Sequence, residues 1–324
     1  MSLAPQIRAG LRLPLVCGPM FSVSGPDLVR ECCLAGVIGG LPRHNARSLE
    51  EFVHWLADIR DALDRRRDEE PEAPIGAIAV NMASNLPPQE FEETLEACRR
   101  YGVEIIINAT GNPTELTRRA HDKGFLVYAD AVNLKFAEKA MSVGVDGINA
   151  IGAGGGGHSG RISHLALVAA IRARFDKTVL MGGALSTGAA IRAAEILGAD
   201  LAFMGTRFIA TREAAVLDAY KAMLVAATSA DLVYTARLGG APAHWLVPSL
   251  VAAGLDPADD LTPAPPGVRP WWDIWSAGQG VDQITDTPSV AELVDRLACE
   301  YEAAARVAIF TDRLVDAALD QPAD

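Results

Sequence analysis

The sequence predicts an α/β protein built on an eight-stranded parallel barrel, a (β/α)8 or TIM barrel, with a C-terminal helical and loop extension. Three observations lead there. Short, continuous apolar runs recur eight times before residue 205, and longer amphipathic stretches separate them. Strands covered on both faces read as such unbroken runs rather than as alternating ones. The glycine-rich turns gather after the sixth and seventh runs, whereas a doubly wound sheet places its glycine loop after the first strand.

The strands are expected at 13–17 (LPLVC), 36–40, 75–80, 103–107, 125–129, 145–150, 178–182 and 200–204. Helical stretches lie between them at 26–35, 48–66, 88–101, 113–123, 133–143, 163–174 and 187–197. Residues 1–212 therefore form the barrel core. Residues 213–324 exceed what a last barrel helix needs and are read as that helix plus an extension packed on the barrel. The extension holds a helix-like stretch at 213–227, a proline-rich segment at 257–270, the aromatic stretch WWDIWSAGQG at 271–280 and an acidic amphipathic helix near 289–308.

Of the 324 residues, 50% are hydrophobic and 22% charged, enough for a sizeable core. The net charge of −12, with RRR at 65–67 followed directly by acidic residues, argues against nucleic acid or an anionic membrane as partner. The five cysteines are scattered and lack CxxC spacing, a reduced, cytoplasmic pattern. Arg8 and Arg12 precede any apolar run, so no signal peptide is expected, and no apolar stretch is long enough to span a bilayer.

Function in such barrels gathers at the C-terminal ends of the strands. The residues there are Gly18-Pro19-Met20-Phe21, His44, Asn81, Asp130, the run NAIGAGGGGHSG at 149–160, Gly182-Gly183-Ala184-Leu185-Ser186-Thr187-Gly188 and Gly205-Thr206. The last two segments form the usual phosphate site of the fold, and the Ser-Thr-Gly at 186–188 is expected to open a helix with free N–H groups. The run at 149–160 holds six glycines and one histidine in twelve positions. Glycines directly after a strand let a ring or phosphate lie against bare backbone. His158 is the leading catalytic candidate, since imidazole exchanges protons near neutral pH. Asp130, His44 and His244 are candidate substrate contacts, while His164 reads as lining the next helix and His54 and His121 as surface residues. Cys17 and the Cys32-Cys33 pair read as core, and Trp271, Trp272 and Trp275 as packing the extension onto the barrel. No histidine pair has the i, i+4 spacing of a metal site, so no metal is expected.

Together these motifs resemble the nitronate monooxygenase family, formerly the 2-nitropropane dioxygenases. The matching pieces are CGPM at 17–20, VN at 80–81, GVDGINAIGAGGGGHSG at 144–160, MGGALSTG at 181–188 and GADLAFMGTRFIATRE at 198–213. The resemblance implies an FMN-dependent barrel. Met20 and Asn81 would contact the flavin ring region, with Asn149 and Gly154 lining it. Gly182, Gly183, Met204, Gly205 and Thr206 would hold the phosphate, and His158 would stand over the flavin beside the substrate. It implies oxidation of alkyl nitronates with O2 to a carbonyl compound and nitrite, without a nicotinamide. Gly154 and Gly155 stand where the family often has Glu-Ala, and Asp130 where some relatives have a lysine. The alternative is an NAD(P)-dependent flavin enzyme acting on enoyl or CoA thioesters. A non-catalytic flavin- or phosphosugar-binding barrel is a third reading.

Overall fold

The computed structural model describes residues 2–257 and 266–307. Most of the proline-rich segment, the last residue of the expected 289–308 helix and the tail to 324 lie outside them. The strands are β1 (Leu15–Cys17), β2 (Ile38–Pro42), β3 (Ile78–Asn81), β4 (Ile105–Asn108), β5 (Leu126–Ala131), β6 (Gly147–Ile151), β7 (Thr178–Gly182) and β8 (Leu201–Met204). They pair in parallel, each with the next, and β8 pairs with β1 to close the barrel. The helices of this part are α1 (Pro5–Ala9), α2 (Pro26–Leu34), α3 (Leu49–Glu69), α4 (Pro88–Arg100), α5 (Pro113–Asp122), α6 (Leu134–Ser142), α7 (His164–Arg172) and α8 (Gly188–Ile196). Several strands begin one to three residues later than the apolar runs do, because pairing starts only where a neighbour stands in register, as Leu15 does with Ala202.

Strand alternation sends one set of side chains into the barrel and the other toward the helices. Val16, Ile38, Ala79, Ile105, Ile107, Tyr128, Leu180 and Leu201 fill the interior. Leu3 and Ile7, on and just before α1, join this inner cluster from the N-terminal end. Asp200 fastens that end, accepting the Ser2 and Val179 N–H groups and pairing with Arg172. The bottom of the barrel is thus plugged and apolar, and its upper end is left for chemistry.

Beyond β8 the chain departs from the expected order. A short helix α9 (Thr206–Ile209) leads to α10 (Asp218–Ala226), a two-stranded antiparallel sheet of β9 (Leu232–Thr235) and β10 (Ala243–Leu246), α11 (Val247–Ala252) and finally α12 (Val290–Ala305). It is α12 that packs against α8 and α2 and so closes the ring of barrel helices. The region after residue 212 is therefore an insertion between the last strand and its helix, rather than a last helix followed by an extension. The four-residue strands of the hairpin are too short to carry a periodic signal, and the expected 213–227 helix begins only at Asp218. The insertion leaves and returns at one place: the Arg212 N–H donates to the Pro288 carbonyl at 2.9 Å, and Glu213 accepts the Val290 N–H.

The start of α12 carries a capping box, in which Ser289 accepts from the Glu292 N–H while Glu292 reaches back to the Ser289 N–H. Its docking requires a bare α-carbon on α8. A Cβ on Gly188 would stand 2.1 Å from the Leu297 carbonyl oxygen and 2.4 Å from the Tyr301 nitrogen, both backbone atoms. Gly188→Ala is expected to destabilise the fold by about 1–3 kcal/mol through overpacking, read as a lower urea midpoint; an unchanged midpoint would show that α12 is not clamped there.

Candidate active site

Three polar side chains rise from the barrel interior at its upper end. Asn81 ends β3, while Asp130 and Asn149 stand in register on β5 and β6. The Asn149 amide donates to the Asp130 carboxylate at 3.0 Å, and Asn81 donates to the Ile107 carbonyl at 3.2 Å. Burial pushes the Asp130 carboxyl up to about 6, and the hydrogen bond from Asn149 offsets only part of that. The Oδ1 of Asn149 is buried and has no partner. Buried acceptors are nearly always satisfied, so this one points to a donor supplied from outside the chain.

The ends of β7 and β8 carry the second element. The N–H groups of Gly183, Gly205 and Thr206 find no acceptor among the described residues. Gly183 has φ +108°, and a Cβ there would meet the Gly155 nitrogen at 2.8 Å. At Gly205 a Cβ would meet only the movable end of Met20, at 3.3 Å, which leaves this backbone open. Free donors at adjacent strand ends form a cradle for an anion. The start of α8 is not part of it. The Gly188 N–H donates to Glu300 at 2.7 Å and the Ala190 N–H to Thr187, so these donors are used by α12 and the cap. Met204 turns its side chain into the core, and its carbonyl accepts from the Gly18 N–H, so neither contributes a free donor. Gly182 lies with its Cα toward the Asn149 oxygen, where a Cβ would stand 3.0 Å away. Unpaired donors for a phosphate and an unpaired acceptor for a ring N–H fit a flavin nucleotide.

The glycine run is shaped by close packing more than by open backbone. A Cβ at Gly156 would be 2.8 Å from the Gly278 nitrogen, one at Gly152 would strike the His164 ring, and one at Gly154 would meet Gln279. Only at Gly157 does the run face free space. The His164 ring, at the start of α7, reaches back to the Gly182 carbonyl at 3.0 Å. His244, on β10, is buried: its Nδ1 bonds the Gly155 carbonyl at 2.8 Å and its Nε2 lies 3.3 Å from the Gln279 amide. Donation from Nδ1 leaves Nε2 as the acceptor, so the neutral tautomer serves both bonds. This histidine therefore holds the glycine loop and offers no free nitrogen to a substrate. The segment 278–280 went unrecognised as part of the site, although a glutamine between two glycines was its visible signal.

His158 is exposed. Its ring lies beside the Gly239 backbone, meets Trp271 edge-on at 5.4 Å, and is held below the ordinary imidazole pKa by desolvation. A neutral imidazole keeps on one nitrogen the lone pair that a general base requires. His44, in the turn after β2, stacks on Phe21 at 5.2 Å, and Phe21 in turn meets Trp271 at 6.4 Å. Thus His44 and His158, 114 positions apart by subtraction of their numbers, stand on one row of aromatic rings. Trp275 stacks on Tyr220 at 4.8 Å and packs the insertion, as does Trp271 against Trp245. A cleft of 440 Å³ lined by Arg43, His44 and Leu86 opens beside the β2 and β3 ends. A 670 Å³ cleft between α2 and α3 is lined by salt-bridging side chains on the flank and lies away from these groups. Among the described residues no group of three His, Cys, Asp or Glu side chains could hold a metal, and no helix is long and apolar enough to cross a membrane.

A closed parallel barrel whose last two strands end in unpaired N–H groups, with polar side chains gathered at the same end, has the form of a barrel enzyme. The family model described as nitronate monooxygenase matches residues 52–256, and the chain belongs to that family of flavin-dependent oxidoreductases. The chain is similar to the nitronate monooxygenase of Paraburkholderia phytofirmans, with 26% identity over 286 residues, covering 76% of this chain and 77% of that protein. That of Pseudomonas aeruginosa is 30% identical over 274 residues, covering 73% and 77%. A Rhodococcus jostii protein named (3aS,4S,5R,7aS)-5-hydroxy-7a-methyl-1-oxo-octahydro-1H-indene-4-carboxyl-CoA dehydrogenase is 27% identical over 242 residues, covering 75% and 65%. Across the curated relatives the match spans as little as 56% of a relative's length. Among solved structures, FabK from Thermotoga maritima superposes with a TM-score of 0.73 at 21% identity, covering 95% of this chain and 96% of that one. Nitroalkane oxidase from Streptomyces ansochromogenes gives 0.72 at 21%, covering 91% and 97%. Both share the fold.

Desolvation holds the pKa of His44, His158, His164 and His244 below the ordinary value. The unfolded chain then takes up protons first as pH falls, so their contribution is complete above about pH 6.5 and is lost below it. Asp130, shifted upward, works in the opposite direction. The denaturation midpoint is expected to fall between about pH 7 and pH 5, and to fall less in His244→Asn. An equal slope in that variant would mean that His244 is not buried neutral.

Proposed function

We propose that this chain binds FMN across the upper end of the barrel and oxidises alkyl nitronates with O2 to a carbonyl compound and nitrite. The observation that carries the reading is the cradle of unpartnered N–H groups at Gly183, Gly205 and Thr206, with His158 on the loop after β6 at the same end of the barrel. Membership of the nitronate monooxygenase family supports it. Bound there, FMN supplies the electron acceptance and the reoxidation by O2 that the reaction needs.

The chain's own part is binding, orientation and proton handling. Gly183, Gly205 and Thr206 hold the phosphate, with Gly182 giving it room. Asn149 accepts from the ring's N–H, Asn81 and Met20 border the ring, and the Gly154 backbone lines it. His158 orients the nitronate or removes the α-proton of a neutral nitroalkane. Asp130, next to Asn149, sets the charge at the floor.

A second reading, a flavin enzyme that uses NAD(P)H or NAD(P)+ on enoyl or CoA thioesters, is favoured by Asp130 itself. An ionised carboxylate at the floor opposes an anionic substrate and not a neutral carbonyl. Likeness to the indene-carboxyl-CoA dehydrogenase of Rhodococcus jostii adds to it.

Nitrite release from propyl nitronate without any nicotinamide is expected of the purified protein. Rapid bleaching of the flavin by NAD(P)H with no nitrite would overturn the first reading in favour of the second. His158→Ala should keep its flavin yet turn over slower by roughly 10²-fold or more; unchanged turnover removes the residue from the reaction. Gly183→Ala should lose flavin on dialysis, since its backbone conformation resists a side chain. For an anionic substrate, KM should drop as pH falls below about 6, where Asp130 takes up a proton. In Asp130→Asn that dependence should disappear.

A further inference from the structure

The reading above assigns no role to the row of rings that rims the opening. Phe21 follows β1, His44 follows β2, His158 follows β6, and Trp271 and Trp272 come from the insertion. Four separate segments thus deliver aromatic side chains to one edge of the barrel mouth. Phe21 meets His44, Trp271 and Trp272 at 5.2, 6.4 and 5.9 Å, and Trp271 meets His158 at 5.4 Å. The rings are not sealed inside: Phe21 is 37% and Trp272 51% exposed. Apolar surface gathered at the rim of a concave site and left in water marks a place where a ligand binds.

The row is also held at a cost. Trp271 has φ +64° and Ser22 φ +59°, conformations that side-chain-bearing residues rarely adopt. The two are tied together, with the Ser22 hydroxyl donating to the Trp271 carbonyl at 3.0 Å. Asn45 accepts the Ser22 N–H and donates to the Met20 and Ser24 carbonyls, which fixes the turn that carries Phe21. Gly239 leaves room for the indole, for a Cβ there would stand 2.6 Å from it. Strain retained on both sides of one contact sets the position of the Trp271 ring.

The chemistry of the row is uniform. Desolvation lowers the pKa of both its imidazoles. Two cations beside the row are paired: Arg43 is buried and bonds Glu90, and Arg269, lying over Trp272, donates to Asp273 through Nε and Nη2. The charge at the floor is a carboxyl, Asp130. A wall of rings whose adjoining arginines are already paired matches a flat apolar group better than a short aliphatic anion.

We propose that Phe21, His44, Trp271 and His158 form a recognition wall for a substrate carrying a flat, uncharged ring next to its reacting carbon. This rests on the placement of the reaction at the barrel mouth, and it names the substrate class of that site. The test uses unreactive probes on the purified flavoprotein. Phenylacetamide and hexanamide are titrated by the change in flavin absorbance and by calorimetry, and nitrite release from propyl nitronate is measured separately. Phenylacetamide should bind at least about tenfold tighter than hexanamide, and both Trp271→Leu and Phe21→Leu should erase most of the difference. Circular dichroism checks that each variant is folded, and Phe21→Leu carries the test if Trp271→Leu does not fold. Equal affinities in the parent protein, or a preference that folded variants keep, would overturn the wall. Absent nitrite release with an intact ring preference would overturn the nitronate reading and leave the wall standing.

Discussion

The upper end of this barrel depends on two backbones meeting where neither has a side chain. Residues 278–280 lie across the ends of three strands at once. The Gly278 N–H donates to Thr206 after β8, the Gln279 N–H to the Gly154 carbonyl after β6, and Ser186 after β7 donates to the Gly280 carbonyl, each at 2.9 Å. Cβ atoms at Gly156, Gly278 and Gly280 would stand 2.8, 2.7 and 2.6 Å from Gly278, Gly154 and Ser186 atoms, so the approach exists only because these are glycines. Once it is made, the course of the loop after β6 is fixed. The loop then delivers His158 to the rim and leaves the Gly183, Gly205 and Thr206 donors unpaired.

Electrostatics follow from the same closure. Desolvation, rather than any neighbouring charge, is the leading cause of the shifts at Asp130, His158, His164 and His244. A carboxyl that changes state near pH 6 sits at the floor, with imidazoles of lowered pKa above it. Permanent cations are paired: Arg172 meets Asp200 beneath the barrel, and at the upper end Arg207 meets Asp286 and Arg43 meets Glu90. The mouth can therefore alter its charge with pH while the barrel that holds it does not.

Much of this was legible in the residues. Eight apolar runs locate the eight strands, and the helices between them fall within a few residues of their observed bounds, because burial on both faces writes itself directly into composition. Asn81, Asp130 and Asn149 could be placed at strand ends for the same reason. What stayed hidden depended on contacts between distant segments. Nothing near Gly188 announces that Glu300 takes its N–H, and nothing near His244 says that its ring nitrogens are already used. The glycine run looked like a surface left bare for a ligand; most of it is bare for Gly278, Gln279 and His164. The order of the last helix was misread because amphipathic pattern identifies a helix and not its neighbours.

The insertion has a property of its own. It leaves the barrel at Arg212 and comes back at Pro288, and those two residues are hydrogen-bonded to each other. Seen from the barrel, 75 residues between them occupy the place of a single tight turn. Such a unit can be exchanged as a cassette in the course of descent without moving a strand or a barrel helix. The cassette carries Trp271, His244 and Gln279, whereas the unpaired donors and His158 belong to the frame. Inheritance can thus keep those donors constant and rewrite what is admitted beside them, one replaced segment at a time.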